Sequence, residues 1–151
     1  MKIWTFLIVL LLFGNCSSKV RYNHKIINYD YHQLDGVLIY NRSIDVIVFE
    51  LYKAKGSGLV FIDNNLNIIK KPRGYILKDK EIIKLLKTYK RLNLSYCRID
   101  YGKMIRVICN GIDYIRINKN HNDKVYLFDE HKHEYKYIGN DWYVKNYNVT
   151  I

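Results

Sequence analysis

Asp129-Glu130-His131-Lys132-His133-Glu134 is the densest group of chemically able side chains in the sequence. Two histidines two apart share one side of a strand. With Glu134 or His121 they would supply the imidazole and carboxylate ligands that zinc takes. The spacing matches no familiar zinc motif, and Lys132 places a positive charge between the two rings. His131 and His133 are therefore weak metal candidates, and the segment reads as a solvated connection between strands. Other catalytic patterns find no support. Ser43, Ser57 and Ser95 sit in no nucleophile-elbow context. Gly56-Ser57-Gly58 is too short for a phosphate loop, and no paired-carboxylate signature is present. The expectation is a protein that is not an enzyme and uses no cofactor; a metal-dependent hydrolase built on the histidines is the remaining catalytic reading.

Two further sets of residues carry chemistry of another kind. Cys97 and Cys109 flank the turn signal Asp100-Tyr101-Gly102. A loop formed by Gly102-Lys103-Met104 would set the two cysteines opposite each other across an antiparallel pair, close enough to bridge. A loop formed by Tyr101-Gly102 would set Cys97 against Arg106 instead. A structural disulfide is the first reading, and two reduced core cysteines the second. Lys80, Lys84, Lys87 and Arg91 recur at helical spacing and could meet an anionic surface; a solvated helix face explains the same pattern. The 15 tyrosines would suit a contact surface, because Tyr offers large area at low entropy cost, although strand tyrosines also serve sheet packing.

These residues are positioned by a strand-rich pattern. Val37 to Tyr40, Ile44 to Tyr52, Leu59 to Ile62 and Leu66 to Ile69 are β-branched and aromatic-rich runs. Asp63-Asn64-Asn65 closes a hairpin between the last two. Apolar residues on both sides of Ile44 to Tyr52 predict a central strand. One helix follows over about residues 79–91, with Asp79 as its N-cap and Glu81 in the first turn, where the helix dipole favours negative charge. Ile82, Leu85, Leu86 and Tyr89 form its packing face. Leu94 to Ile99, Met104 to Cys109, Ile112 to Ile117, Lys124 to Phe128, Tyr135 to Ile138 and Trp142 to Val144 are further strands. Asn110-Gly111 is the strongest hairpin signal among them. The order strands, helix, strands predicts an α+β fold, mainly an antiparallel sheet with a single packed helix.

The start of the chain has a different character. Met1-Lys2 is followed by an apolar run from Ile3 to Phe13, broken only by Thr5, and then by Gly14-Asn15-Cys16-Ser17-Ser18. A charged start, an apolar stretch of this length and a small-residue cleavage zone define a secretory signal; the run is too short for a spanning helix. With its placed cysteine, Leu12-Phe13-Gly14-Asn15-Cys16 resembles the lipobox of a bacterial lipoprotein precursor. Phe13 and Asn15 depart from its commonest form. The resemblance covers residues 1–18 only. It implies a signal peptide at 1–15 and a lipid on the Cys16 thiol. Ser17, by the enterobacterial sorting rule, implies the outer membrane. An ordinary signal peptidase cutting after Cys16 is the competing route and would give a soluble secreted chain. Residues 16–33 are polar and aperiodic, so they read as a lipidated flexible tether, and 34–151 as a single α+β domain.

The formal net charge of +11 points to an anionic partner. Export makes nucleic acid a poor one, and lipid headgroups or an acidic protein better ones. The abundance of Lys, Asn, Ile and Tyr also fits A/T-rich coding, which would raise the charge without any partner. The functional expectation is a membrane-anchored lipoprotein of the cell envelope that holds a protein or anionic partner at the membrane without catalysis. The alternative is a secreted or periplasmic inhibitor or immunity-type protein that blocks an enzyme.

Overall fold

The computed structural model of the protein describes residues 22–54, 58–118 and 131–146. Nine strands form one sheet: β1 Val37–Asn41, β2 Val46–Leu51, β3 Leu59–Asp63, β4 Ile68–Lys70, β5 Leu94–Asp100, β6 Met104–Cys109, β7 Ile112–Ile117, β8 Lys136–Gly139 and β9 Trp142–Asn146. Their order is β4-β3-β2-β1-β5-β6-β7-β9-β8, and every neighbouring pair is antiparallel. The expected fold class is the one observed. Lys124 to Phe128 and His121 lie outside the described residues, as do Cys16 and the expected signal peptide at 1–15.

The chain meanders from β1 outward to β4 and then returns through the helix α2, Asp79–Arg91, to lay β5 beside β1. The helix has the expected bounds, but its N-cap is Lys78 rather than Asp79. The Glu81 carboxylate accepts the Lys78 N–H at 2.7 Å, satisfying a donor that the helix leaves orphaned. Asp79 is in the first turn and pairs with Lys71. Ile82, Leu86 and Tyr89 are buried and pack on one face of the sheet with Val37, Ile39, Ile47, Phe49, Val60 and Ile62. Tyr89 Oη donates to Asn41 Oδ1 at 3.0 Å, fixing the end of the helix against β1.

The segment before β1 departs from the expected tether. Residues 24–27 form a one-turn helix, α1, His24–Ile27, capped by the Asn23 side chain, and His32–Leu34 form a 3-10 turn. Ile26, Tyr31 and Leu34 are buried in the same core as Cys97, Val107, Tyr114 and Trp142. Tyr31 Oη donates to the Ile26 carbonyl at 2.9 Å, Tyr114 Oη accepts the Asn23 N–H at 3.0 Å, and Gly36 N–H reaches Ile99 O at 2.9 Å. Residues 22–33 are thus packed against the domain expected to start at Leu34. They cover the part of the sheet that the helix leaves bare. Four residues of helix and a single 3-10 turn are too short to show a period, which hid their burial from the sequence pattern.

Ile26 separates the two descriptions. Ile26→Ala is expected to lower the unfolding free energy by about 2–5 kcal/mol, the range for truncating a buried aliphatic side chain. Urea denaturation of the two proteins measures it; a change within about 0.5 kcal/mol, as for an exposed site, would return residues 22–33 to a tether.

Candidate functional site

Residues paired across neighbouring strands share a face of the sheet, so the register defines what lies opposite the helix. One row runs Phe61, Val48, Tyr40, Tyr96, Ile108, Asp113 and Lys145. The next runs Glu50, Leu38, Arg98, Arg106, Ile115, Tyr143 and Tyr137. No described helix covers this face, yet Val48, Ile115 and Asp113 are buried within it. Long cationic and aromatic side chains share the face with them. Arg106 stacks on Tyr96 with its guanidinium 5.6 Å from the ring centre, Arg98 on Tyr52 at 5.4 Å, and Arg42 on Phe61 at 5.4 Å. Tyr137 and Tyr143 are in ring contact at 5.3 Å.

One charged group anchors the arrangement. Asp113 is fully buried, and its carboxylate accepts from Arg106 Nε at 3.2 Å and Nη2 at 2.8 Å, and from Tyr135 Oη at 2.7 Å. A buried carboxylate needs such partners, so Arg106 and Tyr135 are held in single positions. The Asn110-Gly111 hairpin carried the signal. A two-residue turn there pairs Cys109 with Ile112 and makes Arg106 and Asp113 diagonal neighbours on one face. The dipeptide alone marks the hairpin; the Arg106–Asp113 pairing follows only from its register.

The cysteine bridge is corrected by the register of the preceding hairpin. Its loop is Tyr101-Gly102-Lys103, with Asp100 paired to Met104 and Cys97 to Val107. Neither expected loop occurs. Cys97 and Cys109 lie diagonally on the core face, the longer of the cross-strand separations. Both are buried free thiols. Cys109 Sγ instead donates to Leu92 O at 3.5 Å. Burial pushes the Cys97 thiol up to about 12 and raises Cys109 as well, so neither is a ready nucleophile.

The histidines are not on a strand. Lys132–Glu134 is a 3-10 turn, and His131 and His133 are exposed. His131 Nδ1 lies 2.9 Å from Glu134 Oε1, and the other Glu134 oxygen pairs with Lys145. An ammonium therefore sits where a cation would have to bind this carboxylate. Among the described residues no three metal-ligating side chains converge. Lys80, Lys84, Lys87 and Arg91 are all exposed on the outer side of α2, along a line about 16 Å long at 1.5 Å per residue. They lie on the opposite face of the molecule from the stacked arginines.

A shallow cleft of about 440 Å³ closes one end of the helix-free face, lined by Arg42, Ser43, Val46, Phe61, Ile69 and Lys70. No family model matches the chain, and no curated protein or solved structure matches it.

Two measurements follow from the thiols. Without reductant, Cys97 and Cys109 are expected to be unreactive to an alkylating agent in the native protein and both alkylated in guanidinium, as peptide mapping would read. Loss of both sites from the denatured sample would establish the disulfide. The second is a pH profile. Unfolded thiols ionise near 9.0, while the folded Cys97 holds its proton to about 12, so the folded state binds more protons above pH 9. The Tyr31 and Tyr89 hydroxyls, raised by burial, act in the same direction at higher pH. Stability is therefore full below pH 9 and declines as pH rises toward 12, by at most about 1.4 kcal/mol per unit for each group. Denaturation midpoints that stay level from pH 8 to 11 would contradict this.

Proposed function

We propose that the protein is a lipid-anchored, non-catalytic binding module of the cell envelope, held by an acylated Cys16 and placed at the outer membrane. Its binding surface is the helix-free face of the sheet. The observation that carries this reading is the set of arginines stacked on aromatic rings there: Arg42 on Phe61, Arg98 on Tyr52 and Arg106 on Tyr96.

Tyr and Arg are the residues that most often dominate binding energy in protein interfaces. The cation–π contact restrains each guanidinium, so less side-chain entropy is lost on association. Arg98 is exposed and forms no ion pair among the described residues, while Arg106 is neutralised by Asp113. The free charge on this surface favours a protein partner that presents carboxylates. The same chemistry would serve an inhibitor of an acidic-faced enzyme, and the identity of the partner decides between the two roles.

Chemical crosslinking and capture from envelopes, with the parent chain, Arg98→Glu and Lys84→Glu, tests the proposal. A stoichiometric partner should be retained by Lys84→Glu, which alters only the helix face. Arg98→Glu should weaken binding about tenfold or more, the loss expected for an interface hot spot. Equal binding by all three proteins would remove the helix-free face from the account. A captured enzyme whose activity falls on binding would make the module an inhibitor.

A further inference from the structure

We infer that the end of the sheet from which Tyr22 enters the domain docks on an anionic lipid bilayer, with Ile44 entering the headgroup layer. This rests on the lipid-anchor reading.

Four chain reversals meet at that end and are tied together by polar contacts. Asn64 Nδ2 donates to Ile44 O at 2.7 Å, joining the β1–β2 and β3–β4 turns. Lys90, in the last turn of α2, donates to Asn64 O. Asn93, just past the helix, donates to Asn110 Oδ1 at 2.7 Å, joining the β6–β7 turn. Asn23, at the chain's entry, is held by Tyr114, which lies two residues into β7 from that same turn.

The residues this end presents match a bilayer surface. Ile44 is 92% exposed at the tip of its turn, the most exposed large apolar side chain described. Arg42, Lys90 and Arg91 surround the same end, and none forms an ion pair among the described residues. Among the described residues the acids on these turns are Asp45 and Asp63; Asp63 is engaged by the Asn65 and Asn67 N–H groups and by the nearby Lys90 charge, and at the far edge of this end Glu134 pairs with Lys145. The cleft beside the turn adds the apolar Val46, Phe61 and Ile69 between Arg42 and Lys70. An aliphatic tip ringed by cations is the composition of a surface that sits in the headgroup layer of anionic lipid.

The distance to the anchor selects this occupant over a second protein. Cys16 and Tyr22 are six residues apart, a span of at most about 20 Å. With acyl chains on Cys16, the bilayer therefore lies close to the end carrying Ile44. The opposite end mixes the two signs, with Asp35 and Asp100 shared by Lys53, and Asp141 beside Lys103 and Arg116.

The full chain reconstituted in phosphatidylcholine vesicles, with and without phosphatidylglycerol, tests the docking. Trp is introduced as Ile44→Trp or, at the opposite end, Tyr101→Trp, and its fluorescence is taken relative to the parent chain. Phosphatidylcholine brominated along its acyl chains is the quencher. The expected result is quenching several-fold stronger at position 44 than at position 101, increasing with phosphatidylglycerol. Arg42→Gln should lower the docked-to-undocked ratio about fivefold, the contribution of one cation near an anionic surface. Equal quenching at the two positions, or quenching indifferent to phosphatidylglycerol, overturns the inference. So does a position-44 Trp shielded from both the lipid quencher and aqueous acrylamide, which would put a protein on this end. Intact mass of the N-terminal fragment reads acylation of Cys16 separately. An unmodified cysteine removes the anchor reading, while the fluorescence still decides the docking.

Discussion

One helix cannot cover nine strands. At about 4.8 Å between neighbours the sheet is roughly 40 Å across, whereas a helix with its side chains is about 10–12 Å wide. Two consequences shape the molecule. On the core face, α2 covers the β1–β4 half and the segment before β1 covers the other, through Ile26, Tyr31 and Leu34. On the opposite face no described helix is available, so the sheet seals itself. Val48 and Ile115 are buried there outside the main core cluster, under tyrosine and arginine side chains. The features read as a binding surface are thus also a solution to an uncovered apolar face.

Self-sealing with arginine is stable only if the guanidinium groups are held. Asp113 does this for Arg106, and the bond from Tyr135 ties the stretch leading into β8 to the same carboxylate. A buried ion pair adds little net stability over an apolar pair, but removing one partner costs about 3–5 kcal/mol because the other charge is stranded. The pair is therefore better understood as a fixer of position than as a source of stability. It orders the middle of the face, from which Tyr96 and Ile108 on one side and Tyr143 and Lys145 on the other take their places in the register. A face ordered before binding loses less entropy when a partner arrives.

Most of this fold is legible in the sequence because its strands carry two-sided apolar runs and its turns carry Asn and Gly. Nine of the ten expected strand segments lie at or within a few residues of observed strands, the tenth falling outside the described residues, and α2 has its expected bounds. Asn93, Asn110 and Asn140 take positive φ at chain reversals, as their short polar side chains allow. What the pattern does not carry is register. A loop of three residues beginning at Tyr101 rather than Gly102 moves Cys97 from Cys109 to Val107, and a disulfide that looked plausible is not made. The stacked arginines were hidden for the same reason: Arg98 and Tyr52 lie 46 positions apart and meet only through the placement of β5 beside β1. The proposed lipid anchor is the reverse case: it rests on the residue types around Cys16 alone and not on the fold.

The proposed anchor and the proposed binding face constrain each other. If the bilayer lies against the turns carrying Ile44, the strands run away from the membrane and the helix-free face stands roughly perpendicular to it, open to proteins moving in the same plane. Anchoring then limits the search to two dimensions and a fixed height, which raises the effective concentration of any envelope partner without a new contact. It also relaxes the demand on affinity: a face with one exposed, unpaired arginine near its centre and few free charges would bind weakly in free solution, and tethering compensates for this. The helix stripe Lys80, Lys84, Lys87 and Arg91 fits the same geometry. Running along α2, it would reach the proposed membrane only at its Arg91 end, leaving Lys80, about 16 Å up the helix at 1.5 Å per residue, in water. A basic helix lying flat on the bilayer would need the whole stripe in contact, and the position of the chain entry beside the helix C-terminus opposes that orientation.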